Sequence, residues 1–242
     1  MMKTVQLFDD GIGKVDYVCH MGSDMTIVNS ARVSFGKEVE ELSNKDKKLI
    51  NYLIKHRHTS TLEHCTVTFR IKVPLYIRSQ HHRHRTWSYN EISRRYTDFN
   101  LQFYEPEAFR TQHKSNRQAS NIEELINPNI SKFDDIFIGN AVVPIPSYKA
   151  SEAIQAHHMR SLDLFNKLIK LGVCREQARG VLPQNLYTEY YATTNLNNLF
   201  KFIDLRTHEG AQWEIQQLAK AMLDIVTDLY QITVEAWKEN KV

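Results

Sequence analysis

Residues 65–74 read CTVTFRIKVP, and this stretch decides the fold class. Apolar residues alternate along it with threonines and basic residues, which is the period of a strand with one face in the core. Pro74 ends the alternation and suits the first turn of a following helix. The stretch therefore predicts a strand that is followed at once by a helix.

The flanking sequence predicts further strands and helices on both sides. Alternating or Tyr/Thr-rich patterns predict a strand pair at 5–18 and strands at 99–103 and 186–194. Helical spacing and capping residues predict helices at 24–34, 44–54, 75–84, 151–171, 175–182 and 196–203, and one long helix from 211 to 232. On the helix after Pro74, Gln80, Arg83 and His84 would share a face.

These patterns predict an α+β fold, with a small antiparallel sheet packed against several helices. The 242 residues are enough for one domain, 1–242, with a sizeable core. The polar segment 110–146 has little clear period, and we predict a variable insertion with short helices there.

Composition excludes several classes of protein. The net charge of +3 is too small for a protein that coats nucleic acid, and no apolar stretch is long enough to cross a membrane. Three cysteines without a paired spacing predict a reducing, cytoplasmic compartment, and the acidic N-terminal residues do not resemble a signal peptide. For Cys65 and Cys174 we favour a packing role.

Residues 83–96 read RHRTWSYNEISRRY and concentrate the positive charge. Arginine presents a planar fork of donors that matches phosphate oxygens. The serines, Asn90 and Glu91 add groups that contact sugars and bases. From composition alone, a solvated basic helix face explains this segment equally well.

The spacing in this segment resembles the signature of the flavin-dependent thymidylate synthase family, R-H-R-x-x-S-x-N-E-x-S-x-R-Y. All nine fixed positions match without a gap. The resemblance extends to KHRHTSTLEH at 55–64, to REQARGVLPQNLYT at 175–188, and to the segment from Asn195 through IDLR at 203–206 and AQWEIQ at 211–216.

The resemblance implies a role for each matched position. It implies catalytic roles for Arg206, Ser93 and His58. It implies FAD contacts by Ser60, Glu63, Arg83, His84, Arg85, Glu91, Asn195 and Asn197. It implies dUMP contacts by Gln80, Arg83, Glu91, Ser93, Arg94, Arg95, Arg179 and Arg206.

The family resemblance also implies the reaction and the assembly. Members methylate dUMP to dTMP reductively, with methylenetetrahydrofolate as carbon donor and NADPH-reduced FAD as hydride source. They form homotetramers with shared active sites. Three positions depart from the better-known members, since Asn197 replaces an arginine, Lys201 an asparagine and Gly210 a histidine.

Two alternatives are less favoured. Histidines at 56, 58 and 64 and at 81, 82 and 84 are potential metal ligands, but neighbouring arginines oppose a cation, so we expect no metal. An arginine- and aromatic-rich segment also occurs in nucleic-acid-binding modules. The modest net charge and the absence of a known binding motif argue against such a module.

Overall fold

The structure is a computed structural model that describes residues 3–131, 137–138, 141–142 and 147–241. Its contacts divide the chain into two compact units. Unit 1 comprises Met1–Val73, Ile77–Ile92 and Thr188–Val242, and unit 2 comprises Pro74–Tyr76 and Ser93–Tyr187. No helix in the described part of the chain is both long and apolar enough to cross a membrane.

The strands are β1 (Thr4–Gln6), β2 (Lys14–Met21), β3 (Thr66–Pro74), β4 (Ser88–Glu91), β5 (Phe109–Gln112), β6 (Ser120–Ile126), β7 (Asn129–Ser131), β8 (Phe137–Ile138), β9 (Ala141–Val142), β10 (Ser147–Lys149) and β11 (Tyr187–Asn195). The helices are α1 (Asp24–Arg32), α2 (Asn44–Lys55), α3 (Leu75–His81), α4 (Ala150–Lys170), α5 (Arg175–Ala178), α6 (Leu196–Thr207), α7 (Trp213–Leu229) and α8 (Gln231–Glu239). The α+β class is therefore confirmed.

A five-stranded sheet with the order β1-β2-β3-β11-β4 forms the centre of unit 1. The pairs β1–β2, β2–β3 and β4–β11 are antiparallel. Along β3, the side chains of Val67, Phe69, Ile71 and Val73 are fully buried, as the alternation predicts. The predicted strand pair near the start of the chain and the Tyr/Thr-rich strand β11 are also confirmed.

Polar caps begin two helices of unit 1 where the sequence predicts them. The backbone N–H of Ser43 donates to the Asp46 carboxylate at 2.9 Å, as in a capping box. The side-chain oxygen of Asn195 accepts from the backbone N–H of Asn198 at 2.9 Å and begins α6. This cap fixes where α6 starts relative to β11, and therefore where Arg206 lies at its other end.

Two helix predictions are wrong. The long C-terminal helix is interrupted at Tyr230, because the buried carboxylate of Asp24 accepts from the backbone N–H groups of Ile232 and Thr233 and so caps a separate helix, α8. The helix after Pro74 ends at His81, so Arg83 and His84 lie beyond it in a turn rather than on its face.

Unit 2 contains α4, α5 and short strand pairs. The predicted short helices in segment 110–146 are wrong for its described residues. Within the segment β6 pairs antiparallel with β5, and β7 pairs antiparallel with β10, which lies just beyond it. The other residues of the segment lie outside the described part. The predicted strand at 99–103 is wrong too. Asn100 has a positive φ of 55° that interrupts an extended chain, and only Phe103 forms an isolated bridge, to Leu186.

The cysteines follow the packing prediction at one position and depart from it at the other. Cys65 is fully buried, and burial raises the pKa of its thiol to about 11, so it is a packing residue. Cys174 is exposed at the start of α5, so the packing prediction is wrong there.

Candidate active site

Arg206 lies in the last turn of α6 and is fixed by two hydrogen bonds within unit 1. Its Nε donates to Nε2 of His84 at 3.2 Å, and its Nη2 donates to the backbone carbonyl of Gln80 at 3.3 Å. Gln80 lies in the last turn of α3, and His84 lies in the turn that follows this helix. The side chain is half-buried, and these two bonds hold the guanidinium plane in one orientation.

Two histidines beneath this arginine are neutral. Burial, reinforced by the charge of Arg206, lowers the pKa of His84 to about 4. Burial also lowers the pKa of His81 far below its ordinary value, and its Nδ1 lies 2.9 Å from the hydroxyl of Tyr190. A neutral His84 has a lone pair on Nε2 that accepts the N–H of Arg206.

The turn that joins α3 to β4 is held from the sheet as well. The hydroxyl of Tyr89 donates to the backbone carbonyls of His81, at 3.1 Å, and His84, at 3.0 Å. Tyr89 occupies a variable position of the signature, so its identity gave no signal from sequence. The β4 strand itself was not predicted either.

Glu91 is held at the end of β4 by two donors. Its Oε1 accepts from Nε of Arg78 at 3.0 Å and from the hydroxyl of Thr188 at 2.6 Å. The second carboxylate oxygen can still accept from a ligand. Sequence reasoning missed both supports, and it also missed Gln212, which hydrogen-bonds the Gln80 side chain.

Unit 1 contains a cavity of about 570 Å³, and one site residue predicted from sequence, Asn197, lines it. Asn197 lines this cavity and donates to the carboxylate of Glu63 at 2.9 Å. Ser60 is exposed on the same 3₁₀ turn as Glu63, and His58 is exposed just before that turn. Asn195 uses its side-chain oxygen to cap α6.

Four basic side chains of unit 1 are available to an anion: Arg57, Arg83, Arg85 and Lys201. All four are exposed, and none makes a side-chain hydrogen bond or ion pair to another described residue. Arg57 and Lys201 line the cavity. The sequence resemblance gives this lysine no role, since it replaces an asparagine of the family pattern.

In unit 2, Arg95 and Arg179 meet around Glu176. Arg95 lies 3.9 Å from the Glu176 carboxylate, and Nε of Arg179 donates to the Glu176 backbone carbonyl at 3.3 Å. Both guanidinium groups are exposed. The hydroxyl of Ser93 accepts from the backbone N–H of Arg95 at 3.3 Å, so it lies beside this pair.

Arg94 differs from its neighbour. Its guanidinium donates to the backbone carbonyls of Phe99, at 3.0 Å, and Tyr187, at 3.3 Å. These bonds tie together two parts of unit 2. The arrangement assigns those N–H groups to holding the backbone, whereas the resemblance implies a substrate contact there.

The arrangement defines a class of protein. Exposed arginines are concentrated in both units, and arginine is the side chain best suited to phosphate oxygens. Among the described residues, no cluster of three or more His, Cys, Asp and Glu side chains is placed to hold a metal ion. The fold and these groups define an α+β protein whose exposed arginines suit phosphorylated ligands.

Comparison with known proteins gives the family. The family model described as thymidylate synthase complementing protein matches residues 16–230. The flavin-dependent thymidylate synthase of Thermus thermophilus is 39% identical over 237 residues, which are 98% of this chain and 79% of that protein. That of Rickettsia bellii is 36% identical over 247 residues, covering 100% of this chain and 80% of that protein. The chain therefore belongs to the flavin-dependent thymidylate synthase family.

The fold of the chain also matches a solved structure. The crystal structure of the UMP/dUMP methylase PolB from Streptomyces cacaoi, bound with 5-Br dUMP, matches with a TM-score of 0.76 at 29% identity. The match covers 97% of each chain. The resemblance on which the site predictions depend is thereby confirmed at the level of the family.

The residues of unit 1 fit a flavin dinucleotide by the chemistry of their donors. A diphosphate requires cationic or N–H donors, and Arg57 and Lys201 offer on one cavity two cations that no described residue pairs with. The stacked rings of Phe200 and Trp237, with centroids 5.0 Å apart, supply an apolar wall to the same cavity. Mixed apolar and cationic lining of this kind suits a phosphorylated aromatic cofactor.

Proposed function

We propose that the chain is a flavin-dependent thymidylate synthase that methylates dUMP reductively to dTMP. Its carbon donor would be methylenetetrahydrofolate, and NADPH-reduced FAD would be its hydride source. The observation that carries the proposal is Arg206, whose guanidinium is oriented by Gln80 in α3 and by a neutral His84 in the signature segment. The names of the relatives and the dUMP analogue bound to the Streptomyces enzyme support it.

Arg206 would act on the uracil ring. A carbon–carbon bond at C5 forms more readily when the ring is electron-rich, and a fixed cation stabilises the negative charge that the ring carries. The two bonds made by Arg206 leave Nη1 free to donate, because they use Nε and Nη2. Because its partner His84 is neutral, the charge of Arg206 is not cancelled and is available to the substrate.

The remaining substrate contacts follow the predicted roles. Arg95 and Arg179 would hold the phosphate of dUMP, since both present exposed guanidinium groups around Glu176. Gln80, Glu91 and Ser93 would contact the sugar and base, together with Arg83 and Arg94. For Glu91, the supporting observation is the carboxylate oxygen that Arg78 and Thr188 leave available.

The cofactor would lie against residues of unit 1. Bound FAD supplies the redox chemistry, and the chain binds and orients it. Asn197 and Lys201 line the same cavity, and the side-chain amide of Asn197 donates to the carboxylate of Glu63 at 2.9 Å. Ser60, His58, Asn195, Arg83, His84 and Arg85 complete the proposed FAD contacts. His58 and Ser93 stay proposed catalytic residues.

We also propose a homotetramer with shared active sites and a cytoplasmic location. The assembly follows from the family resemblance. Single exposed apolar side chains such as Phe35, Phe99 and Leu171 are available for subunit contacts. Three free cysteines suit a reducing compartment.

The test begins with the visible spectrum of freshly purified protein and identification of the cofactor released on denaturation. We expect FAD that bleaches on addition of NADPH, followed by dTMP formation from dUMP and methylenetetrahydrofolate. If the protein is colourless, apoprotein is titrated with FAD before the assay. Failure to bind added FAD, or no dTMP from the FAD-loaded protein, contradicts the proposal.

A further inference from the structure

The side chain of Tyr89 joins β4 to the turn that carries Arg83 and His84. Its hydroxyl lies 3.1 Å from the carbonyl of His81 and 3.0 Å from that of His84. A hydroxyl has one hydrogen, which serves either carbonyl or is shared between them. The two ends of the turn are therefore drawn toward a single point on the sheet.

The ring of Tyr89 is itself held in place. It stacks on the ring of His82, with centroids 4.0 Å apart and planes at 30°. Its centroid also lies 5.3 Å from that of the nearly perpendicular His81 ring. In the sheet, Tyr89 pairs with Ala192 of β11, which is fully buried. A ring fixed on two sides by packing places its hydroxyl with little freedom.

From the other side, α6 contacts the same turn. Arg206 donates to the carbonyl of Gln80 and to the ring of His84, and the ring of Phe202 packs against His84 at 4.8 Å. One acceptor of Arg206, the ring of His84, thus belongs to the turn that Tyr89 holds, and the other, the carbonyl of Gln80, immediately precedes that turn in α3. Movement of this segment would rotate the guanidinium.

We propose that Tyr89 is a positioning residue, whose hydroxyl fixes the turn of residues 81–84 and through it the direction of the Arg206 guanidinium. The consequence for rate rests on the proposed dUMP methylation. A displacement of about 1 Å at a group that acts on substrate costs up to about 100-fold in rate. Tyr89 itself does not need to touch the substrate.

The test variant is Tyr89→Phe, which keeps the ring and its stacking and removes only the hydroxyl. The chain offers a matched control in Tyr230, whose hydroxyl also spans two backbone carbonyls, of Met21 at 3.0 Å and Thr66 at 3.3 Å. Tyr230→Phe loses the same kind of contact away from Arg206. Circular dichroism establishes that both variants are folded.

The first readout is amide hydrogen exchange followed by mass spectrometry. We expect peptides that cover residues 82–85 to exchange faster in Tyr89→Phe and at the wild-type rate in Tyr230→Phe. This readout does not depend on any enzymatic activity. Unchanged exchange in Tyr89→Phe would overturn the proposal.

The second readout is a double-mutant cycle on dTMP formation. We expect Tyr89→Phe to lower kcat by about 10- to 100-fold, and Tyr230→Phe to lower it by less than about threefold. In the Arg206→Ala background, loss of the Tyr89 hydroxyl should cost less than about threefold more, because the two residues act on one element. If the loss of kcat in the double variant equalled the product of the two single-variant losses, the link between Tyr89 and Arg206 would be overturned. If residues 82–85 exchange faster in Tyr89→Phe but the wild-type protein forms no dTMP, the proposed function is contradicted, whereas the role of Tyr89 in fixing the turn is supported.

Discussion

Replacement of Arg206 by alanine tests the proposed chemistry most directly. The guanidinium has five N–H groups, of which one on Nε goes to His84 and one on Nη2 goes to Gln80. The other three can donate to a ligand. Because alanine removes this charge-stabilising group, we expect kcat to fall by about 10²- to 10³-fold, which corresponds to about 2.7–4 kcal/mol.

A lysine at the same position separates charge from geometry. An ammonium group keeps the positive charge but lacks the planar fork that reaches two acceptors and a ligand at once. We therefore expect Arg206→Lys to lose about 10- to 100-fold, which is less than the alanine variant loses. Arg117→Ala is the control, because it removes one exposed arginine elsewhere and changes the net charge equally.

The assay measures initial rates of dTMP formation at saturating dUMP, methylenetetrahydrofolate and NADPH, together with flavin absorbance per chain. We expect both Arg206 variants to keep their FAD. A kcat for Arg206→Ala within about threefold of wild type, with flavin bound, would refute the assigned role. Loss of FAD from the variant would also refute it, since the arginine would then act in cofactor retention.

Three further predictions concern cofactor binding, stability and pH. Lys201→Ala should raise the FAD dissociation constant about tenfold, because one charge-assisted contact is lost. The constant is measured by titrating apoprotein with FAD and following flavin fluorescence. An unchanged constant would show that Lys201 does not contact FAD. Asp24→Asn should lower the free energy of unfolding in urea by about 1.5–3 kcal/mol, because the buried carboxylate accepts hydrogen bonds from Thr233. The surface control Asp163→Asn should lower it by less than about 0.5 kcal/mol. Equal losses in the two variants would contradict this prediction. The folded-state pKa of His84, about 4, is below the ordinary 6.5, so the unfolded chain binds the proton first and stability should fall as pH drops from 6.5 toward 4. Between pH 6.5 and 4, the urea midpoint of unfolding should fall less in His84→Asn than in the wild-type protein. An identical fall in both proteins would refute the lowered pKa of His84.

The elements predicted correctly are those whose signals are local. The alternation along β3, the capping box at Ser43 and the cap at Asn195 each depend on a few neighbouring residues. The break between α7 and α8 depends instead on Asp24, which is remote in sequence and contacts Thr233 only after folding. Hydrophobic periodicity reports only the spacing of neighbouring residues and not a contact with a distant one, so the sequence predicts one long helix.

The candidate site shows the same division. The signature identifies Arg83 and Glu91 as residues of interest, and the matched segment at 203–206 identifies Arg206, but neither motif shows which residues support them. Arg78 holds Glu91 from a position outside the signature, and Tyr89 holds the turn from a variable position within it. Supporting residues come into contact with the site only when the chain folds, so a motif of fixed sequence spacing does not reveal them.

The contact between Asp24 and Thr233 also bears on how the protein is made. The two residues are 209 positions apart, and the whole of unit 2 is synthesised between them. At about 5–20 residues per second, a ribosome needs about 10–40 s to produce the second partner after the first. During this interval α1 leaves the ribosome without the helix that covers it. We therefore expect nascent chains to depend on holding chaperones until the last helix is released.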